Sequence, residues 1–477
     1  MTDLSSTAVG GRVVECNDEF FAEAANMLNP DPPVWKEDVY TDQGKWMDGW
    51  ETRRRREEGH DWCIVALGIP GRIEQVTIDT SFFTGNFPEE FSVEACGVED
   101  DSRLSQAFWV DLVPRTRLEG NSVAIFDVKE PGRVTHLRIN IFPDGGVARF
   151  RASGHPIPSI EDVCPSNAPI NLASLAVGTD PVDASDAHYS PPSNMLRPGE
   201  PGGMWDGWET RRRRGPGNDW VSFKLGLAGT LQEIRVDTRF FKGNSPGWVS
   251  LDASVDGTIW LTAVPRTAVE ADSVNILRLR APIEAEYVKL DIYPDGGVAR
   301  FRVLGSPTLD SASAKRVLYL NSLLGQDATR FFRTVCTSTR WISEMLSCRP
   351  FDNPQSVLDV ADITFADLGE DDWLEAFAGH PRIGERGDDV ENREQAGTRG
   401  ASQEVLAAMA TANKEYAAKF GFSYIIYASG KSADEMVNVA RRRLDNTRDQ
   451  EIGIAAGEQR RISATRLRRM LCMEGDE

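Results

Sequence analysis

Histidine is scarce in this chain: His60, His136, His155, His188 and His380 are the whole complement of its 477 residues. Cysteine is sparse too. The seven cysteines, Cys16, Cys63, Cys96, Cys164, Cys336, Cys348 and Cys472, are odd in number and show no CxxC spacing. That argues against a zinc ribbon and a disulfide framework, and a reduced compartment fits best. No run of 18 apolar residues is present, so nothing is expected to span a membrane. The opening stretch MTDLSSTAVGGRVVE lacks the charged-then-apolar pattern of a secretory leader, and a cytoplasmic protein is expected. Positive charge is in deficit: the formal net charge is -20, which argues against nucleic acid or anionic membrane partners. The remaining composition, 40% apolar and 26% charged, is that of an ordinary globular chain with room for roughly two to four domains.

What is present, up to residue 306, is an internal repeat. DGWETRRRREEGHDW (Asp48 to Trp62) returns as DGWETRRRRGPGNDW (Asp206 to Trp220), with twelve of fifteen positions identical. IDTSFFTGNFP (Ile78 to Pro88) returns as VDTRFFKGNSP (Val236 to Pro246), and LVPRT (Leu112 to Thr116) as AVPRT (Ala263 to Thr267). PDGGVARFR recurs unchanged at Pro143 to Arg151 and Pro294 to Arg302. A period this long means two copies of one domain.

Each copy reads as all-β. Val76, Ile78 and Thr80 alternate with polar residues, as do Phe91, Val93 and Ala95, and Leu137, Ile139 and Ile141 with their mates Val288, Leu290 and Ile292. Period two with β-branched side chains predicts half-buried strands, and the Gly/Pro/Asp-rich turns between them predict a jelly-roll-like sandwich. The repeats are placed at 8–153 and 187–306, with a Pro/Ser/Asp-rich linker over 154–186. In an extended stretch Arg53 and Arg55 face one way and Arg54 and Arg56 the other. One pair could enter a cleft and bind a carboxylate, while Asp and Glu accept from ureido N–H groups. Alternatively these arginines pair with the surplus acids, and Trp50, Trp62, Trp208 and Trp220 fill the core.

After about Ser306 the period changes to 3.6. Leu323, Leu324, Phe331, Phe332 and Val335 fall three or four apart. Ser402 is expected to cap a helix presenting Val405, Leu406, Met409, Asn413, Tyr416 and Phe420 and ended by Gly421. Ser432 and Glu435 form a capping box, and a last helix runs from about Ala455 to Leu471. The fold class is therefore two all-β sandwich domains followed by an all-α helical domain over 317–471. Within that domain GHPRIGER (Gly379 to Arg386) carries its one histidine, His380, and ENREQAG (Glu391 to Gly397) follows across an acidic loop. A histidine with a carboxylate nearby suits proton transfer near neutral pH, and it equally suits a helix cap.

HPRIGE, EQAG and NKEYAAKFGFSYIIYASGKSADEM, in this order, resemble the 2-oxo-4-hydroxy-4-carboxy-5-ureidoimidazoline (OHCU) decarboxylase family, from about Val317 to Leu471. The resemblance implies cofactor-free decarboxylation of OHCU to (S)-allantoin, with His380 as proton donor and Glu394 as the acid beside it. Pro381 follows His380 in the implied pocket. Glu391, Asn392, Arg393, Glu394 and Gln395 match the family's SxxEQ block, with Glu391 where the family has serine. Ile426, Tyr427, Ala428, Ser429 and Gly430 match the segment whose backbone holds the ring, and Arg466 matches a pocket arginine.

DGWETRRRR, the FFxGNxP segments and VPRT, present in both copies, resemble both halves of the allantoicase family over about residues 8–306. That implies hydrolysis of allantoate to ureidoglycolate and urea. Block identity makes Asp48, Glu51, Arg54 and His60, with Asp206, Glu209 and Arg212, the candidates, and Asn218 stands where His60 does. Some members of the family carry a divalent metal; no ligand cluster is evident in this sequence, and the metal stays unknown. Together the resemblances imply small-molecule ureide substrates, allantoate and OHCU, and a homo-oligomer. The two reactions flank a step from allantoin to allantoate that neither catalyses. The alternative left open is that the repeats are a non-catalytic small-ligand or sugar-binding module.

Overall fold

The computed structural model describes residues 1–129, 132–163, 168–380 and 402–473. The chain divides into two compact units, Met1–Leu324 and Gly325–Glu477.

In the first unit each repeat is an antiparallel sheet, and the buried residues of both form one continuous core. The first is built on the strand Asp61–Asp79. Its first half pairs with Arg12–Cys16 and with Val134–Phe142; its second half pairs with Val123–Asp127 and with Arg149–Pro156. Glu90–Cys96 and Val110–Arg117 extend the sheet beyond Val134–Phe142. Midway along this strand, at Gly68, a second backbone approaches closely, and a Cβ would lie 2.4 Å from the Gly11 nitrogen. The second repeat copies this plan around Asp219–Asp237, flanked by Arg300–Pro307, Val274–Tyr293, Trp248–Ser254 and Leu261–Ala268.

The expected alternation holds. Leu137, Ile139 and Ile141, Phe91, Val93 and Ala95, and Val288, Leu290 and Ile292 are all buried. Trp50 and Trp208 fill the core as expected. Trp62 and Trp220 do not: both are half-buried. The pleat explains it, since Cys63 and Val65 point inward from the same strand and put Trp62 on the other face. Arg53–Arg56 form no ladder strand.

Three boundaries differ from those expected. Thr2–Asp3 already pairs with Ser153–Gly154, so the first sheet begins before residue 8. Ile170–Asn171 and Asp180–Ala184 pair within the second sheet, so the latter half of the stretch read as linker belongs to repeat 2. Helix α1, Leu309–Ser322, falls inside the first unit. The Arg133 N–H there donates to the Ser322 carbonyl at 2.6 Å.

The second unit is helical among its described residues: α2 Gly325–Val335, α3 Thr339–Ser347, α4 Pro354–Ala366, α5 Glu370–Ala378, α6 Gln403–Phe420, α7 Ala433–Arg443 and α8 Arg448–Met470. Ser402 caps α6 and Gly421 ends it in the left-handed region. Met409, Asn413, Tyr416 and Phe420 are buried, whereas Leu406 is exposed. The Ser432/Glu435 capping box starts α7. The last helix starts seven residues earlier than its apolar pattern indicated, because Thr447 and Gln450 form a further capping box. Glu451, fully buried, ties three helices: it accepts from Arg443 Nε at 2.6 Å, from Asn446 Nδ2 at 2.6 Å and from the Tyr416 hydroxyl.

Candidate functional sites

In each repeat the recurring blocks converge on one end of the sandwich. The two-residue strand Trp50–Glu51 pairs with Gly146–Val147 from the PDGG turn, as Trp208–Glu209 pairs with Gly297–Val298. Gly146 is obligatory here, since a Cβ would lie 1.9 Å from the Phe83 ring. The FFxGNxP segment closes the cluster: Asn86 accepts from the Gly146 N–H at 2.7 Å and Asn244 from the Gly297 N–H at 2.8 Å, both through backbone carbonyls. Phe82 and Phe240 hold φ of 71° and 72°, a left-handed conformation costly for an aromatic residue and kept in both copies.

The carboxylates divide into two kinds. Asp48 and Asp206 are structural. Asp48 takes Arg149 at 2.7 and 3.1 Å and the Val34 N–H at 2.8 Å. Asp206, buried, takes Arg300 at 2.5 Å, Arg197 at 2.6 Å and the Gly202 N–H at 3.0 Å. Every oxygen of both carboxylates is engaged by the protein's own donors. Removing one partner of a buried pair leaves an uncompensated charge. Asp206→Ala is therefore expected to destabilise the first unit by about 3–5 kcal/mol, read as a lower guanidinium midpoint. Asp48→Ala, at a more open site, should cost less.

Glu51 and Glu209 are different. Each accepts one hydrogen bond, from Asn86 Nδ2 and Asn244 Nδ2 respectively, both at 2.7 Å. The other carboxylate oxygen has no hydrogen bond among the described residues. Burial raises the pKa of Glu51, against the lowering effect of Asn86.

The arginine run alternates in its partners. Arg53 pairs with Asp18 and Arg55 with Asp61, as Arg211 pairs with Asp186 and Arg213 with Asp219. Arg54, Arg56, Arg212 and Arg214 are exposed, and none has an ion pair among the described residues. The backbone N–H of Arg55 donates to Asp144 Oδ2 at 2.8 Å, and that of Arg213 to Asp295 Oδ2 at 2.8 Å, which docks the run against the PDGG turn. Each repeat thus offers a carboxylate with a free oxygen, an amide and two uncompensated guanidiniums at one end.

His60 lies beside this cluster, on the outer sheet face. Its Nε2 is 3.2 Å from Asn140 Oδ1, and its ring sits 4.6 Å from that of Phe142. Asn140 spends its amide N–H groups on Ser92 and Glu94, so its oxygen is the acceptor and the His60 proton is assigned to Nε2. Asn218 instead donates to Asp291 at 2.8 Å, so the repeats differ here chemically.

Among the described residues no group of three or more His, Cys, Asp or Glu side chains could hold a metal ion. The donor set around Glu51 is one carboxylate, one amide and nearby guanidiniums, whose positive potential opposes a divalent cation. These residues do not fit a metal site.

In the helical unit His380 follows the end of α5, where its N–H donates to the Phe377 carbonyl at 3.2 Å, and it is half-buried. The turn is packed hard on Thr337: a Cβ on Gly379 would lie 2.3 Å from the Thr337 hydroxyl oxygen. That hydroxyl donates to the Glu375 and Ala376 carbonyls at 2.9 and 3.2 Å. Two residues back, the Val335 carbonyl, with that of Thr334, accepts from Arg466 at 3.4 and 3.2 Å. Between them Cys336 is buried, and burial pushes its thiol up to about 11. Helix α8 carries Arg466 and also holds the segment Ile426–Gly430. The Tyr427 N–H donates to Glu458 at 2.5 Å, its hydroxyl lies 3.3 Å from that of Thr465, and Arg461 stacks on its ring at 4.6 Å. Ile426 and Ala428 are buried, and Gly430 has φ 75°. The stretch Val335–Thr337 and helix α8 therefore link His380, Arg466 and the 426–430 segment. Pro381, Glu391, Asn392, Arg393, Glu394 and Gln395 lie outside the described residues.

Sequence reasoning passed over Asn86 and Asn244, although both sit in the repeated FFxGNxP block that signalled them. It also assigned no role to the VPRT arginines, Arg115 and Arg266.

The comparisons with known proteins agree with this division. An allantoicase repeat model matches residues 2–157 and 170–308, and an OHCU decarboxylase model matches 321–468. A probable allantoicase of Acinetobacter baylyi is 40% identical over 318 residues, 64% of this chain and 94% of that protein. The crystal structure of allantoicase from Saccharomyces cerevisiae aligns at 36% identity with a TM-score of 0.52, covering 64% of this chain and 92% of that one. A structure of OHCU decarboxylase in the presence of (S)-allantoin is 33% identical, with a TM-score of 0.28, over 30% of this chain and 96% of its own.

Proposed function

The chain belongs to the allantoicase family and carries an OHCU decarboxylase region after the repeats, and from that premise we propose that it catalyses two reactions of ureide degradation. The repeats hydrolyse allantoate to ureidoglycolate and urea. The helical unit decarboxylates OHCU to (S)-allantoin without a cofactor.

The observation that carries the first reading is the pairing, in both repeats, of Glu51 with Asn86 and of Glu209 with Asn244 beside unpaired arginines. Allantoate has a carboxylate and two ureido groups. Guanidinium N–H groups bind the carboxylate in a fork. The free oxygen of Glu51 accepts a ureido N–H or the proton of an attacking water. A raised pKa suits it to return that proton to the leaving urea nitrogen. The Asn side chain, bonded to the other oxygen, fixes the carboxylate's orientation.

In the helical unit, loss of CO2 leaves electron density on carbon and the conjugated ring. Donors aimed at the ring lower that charge, and a proton delivered to one face makes the product chiral. His380, on a turn that Thr337 and Gly379 hold tightly, supports that role. Helix α8 holds Arg466 and the 426–430 segment in the same region. A cytoplasmic, homo-oligomeric enzyme completes the reading. Saturable urea release from allantoate tests the first reaction, and enantiomeric excess in the allantoin formed from OHCU tests the second. Racemic allantoin at the uncatalysed rate would sink the second.

A further inference from the structure

We propose that Arg266 is the residue through which repeat 2 recognises the carboxylate of a ureide, a role its counterpart Arg115 in repeat 1 does not share. This rests on the reading of the repeats as ureide sites and names the specificity residue of one of them.

Arg266 is exposed. Its guanidinium carbon lies 4.3 Å from the centre of the Tyr293 ring and 4.9 Å from that of Trp248. The two aromatic residues are direct cross-strand partners. The Tyr293 hydroxyl is fixed by Ser250 at 3.0 Å, and Trp248 is 44% exposed, which leaves the pair of rings open to solvent. Two rings pack against the guanidinium, which keeps its N–H fork available for a bidentate carboxylate.

Repeat 1 supplies the internal control. Arg115 stacks on Phe142 at 4.0 Å, as Arg266 does on Tyr293. But Glu90, cross-strand partner of Phe142 as Trp248 is of Tyr293, takes the Arg115 guanidinium at 2.6 Å. Exchanging glutamate for tryptophan keeps the stack and removes the counter-charge. Among the described residues Arg266 has no ion pair or hydrogen bond. The turn after Tyr293 is tied to the arginine run through Thr210 N–H to Gly296 O at 3.2 Å and Arg213 N–H to Asp295 at 2.8 Å. Arg212 and Arg214, also uncompensated, flank that anchor. Three free guanidiniums at one end of a sandwich, in a chain of net charge -20, mark a site for a small anion. Glu209 and Asn244 at the same end match ureido groups. The ligand class is a carboxylate-bearing ureide.

The test is calorimetric binding of N-carbamoylglycine and of its neutral amide to the full chain, for wild type, Arg266→Gln, Arg266→Lys and Arg115→Gln, with melting temperatures as the folding check. Wild type and Arg115→Gln are expected to prefer the acid by about tenfold or more. Arg266→Gln should bring the ratio close to one, and Arg266→Lys should restore part of it. An unchanged preference in Arg266→Gln, or no preference in wild type, overturns the assignment. Because binding needs no turnover, the result stands apart from hydrolysis. A chain that releases no urea yet loses acid preference in Arg266→Gln would defeat the hydrolase reading and keep this one.

Discussion

His380→Ala is expected to abolish stereospecific allantoin formation while leaving the helical unit folded. Removing a positioned acid typically lowers a rate by about 10²–10⁴, and here the loss of chirality is the sharper readout. The side chain is half-buried, on a turn where Gly379 packs closely against Thr337. Truncation therefore leaves the α5 terminus and the core of Phe332, Trp341, Met345 and Phe377 in place. Circular dichroism of the product and thermal unfolding of the variant separate the two effects. Wild-type enantiomeric excess from a folded His380→Ala variant would defeat the proton-donor role.

Replacing both Glu51 and Glu209 by glutamine is the second large effect. The double variant should lose urea release by about 10²–10⁴, and the two single variants divide the work between the repeats. Asn86 and Asn244 still find a side-chain oxygen to donate to, so the local geometry is kept. The Glu51→Gln variant carries a stability signature as well. Burial raises the folded pKa of Glu51 above its unfolded value. Its favourable contribution is then fully present below the unfolded pKa and fades as pH rises through the folded one. At neutral pH the charged carboxylate costs stability, so Glu51→Gln should melt higher than wild type at pH 7, by a margin that shrinks in mild acid. A catalytic group held against its own solvation gives that combination of lost activity and gained stability. Unchanged urea release in the double variant would place the chemistry elsewhere.

Much of this architecture was legible in the chain. Period-two patterns mark Leu137, Ile139 and Ile141 because one face of a sheet must be dry, and the structure buries all three. The arginine alternation was readable as well: among the described residues Arg53 and Arg55 have ion pairs and Arg54 and Arg56 have none, even though no ladder forms there. What the sequence could not convey was partnership. Asp48, Asp206, Glu51 and Glu209 share one repeated block, yet Arg149 and Arg300 consume the aspartates from more than ninety positions away. Local spacing carries no trace of a contact that long. Trp62 was misplaced because aromatic residues usually seek the core, while the pleat gave that position to Cys63. Arg266 escaped notice because VPRT is common to both copies and the difference that matters, Glu90 against Trp248, lies on a neighbouring strand.

The most direct test of the account is urea release from allantoate by the purified chain, with and without a chelator. Saturable release that survives chelation and falls in the Glu51→Gln, Glu209→Gln double variant is the predicted result. No release, with or without added divalent ions, would contradict the hydrolase reading and leave the repeats as a ureide-binding pair.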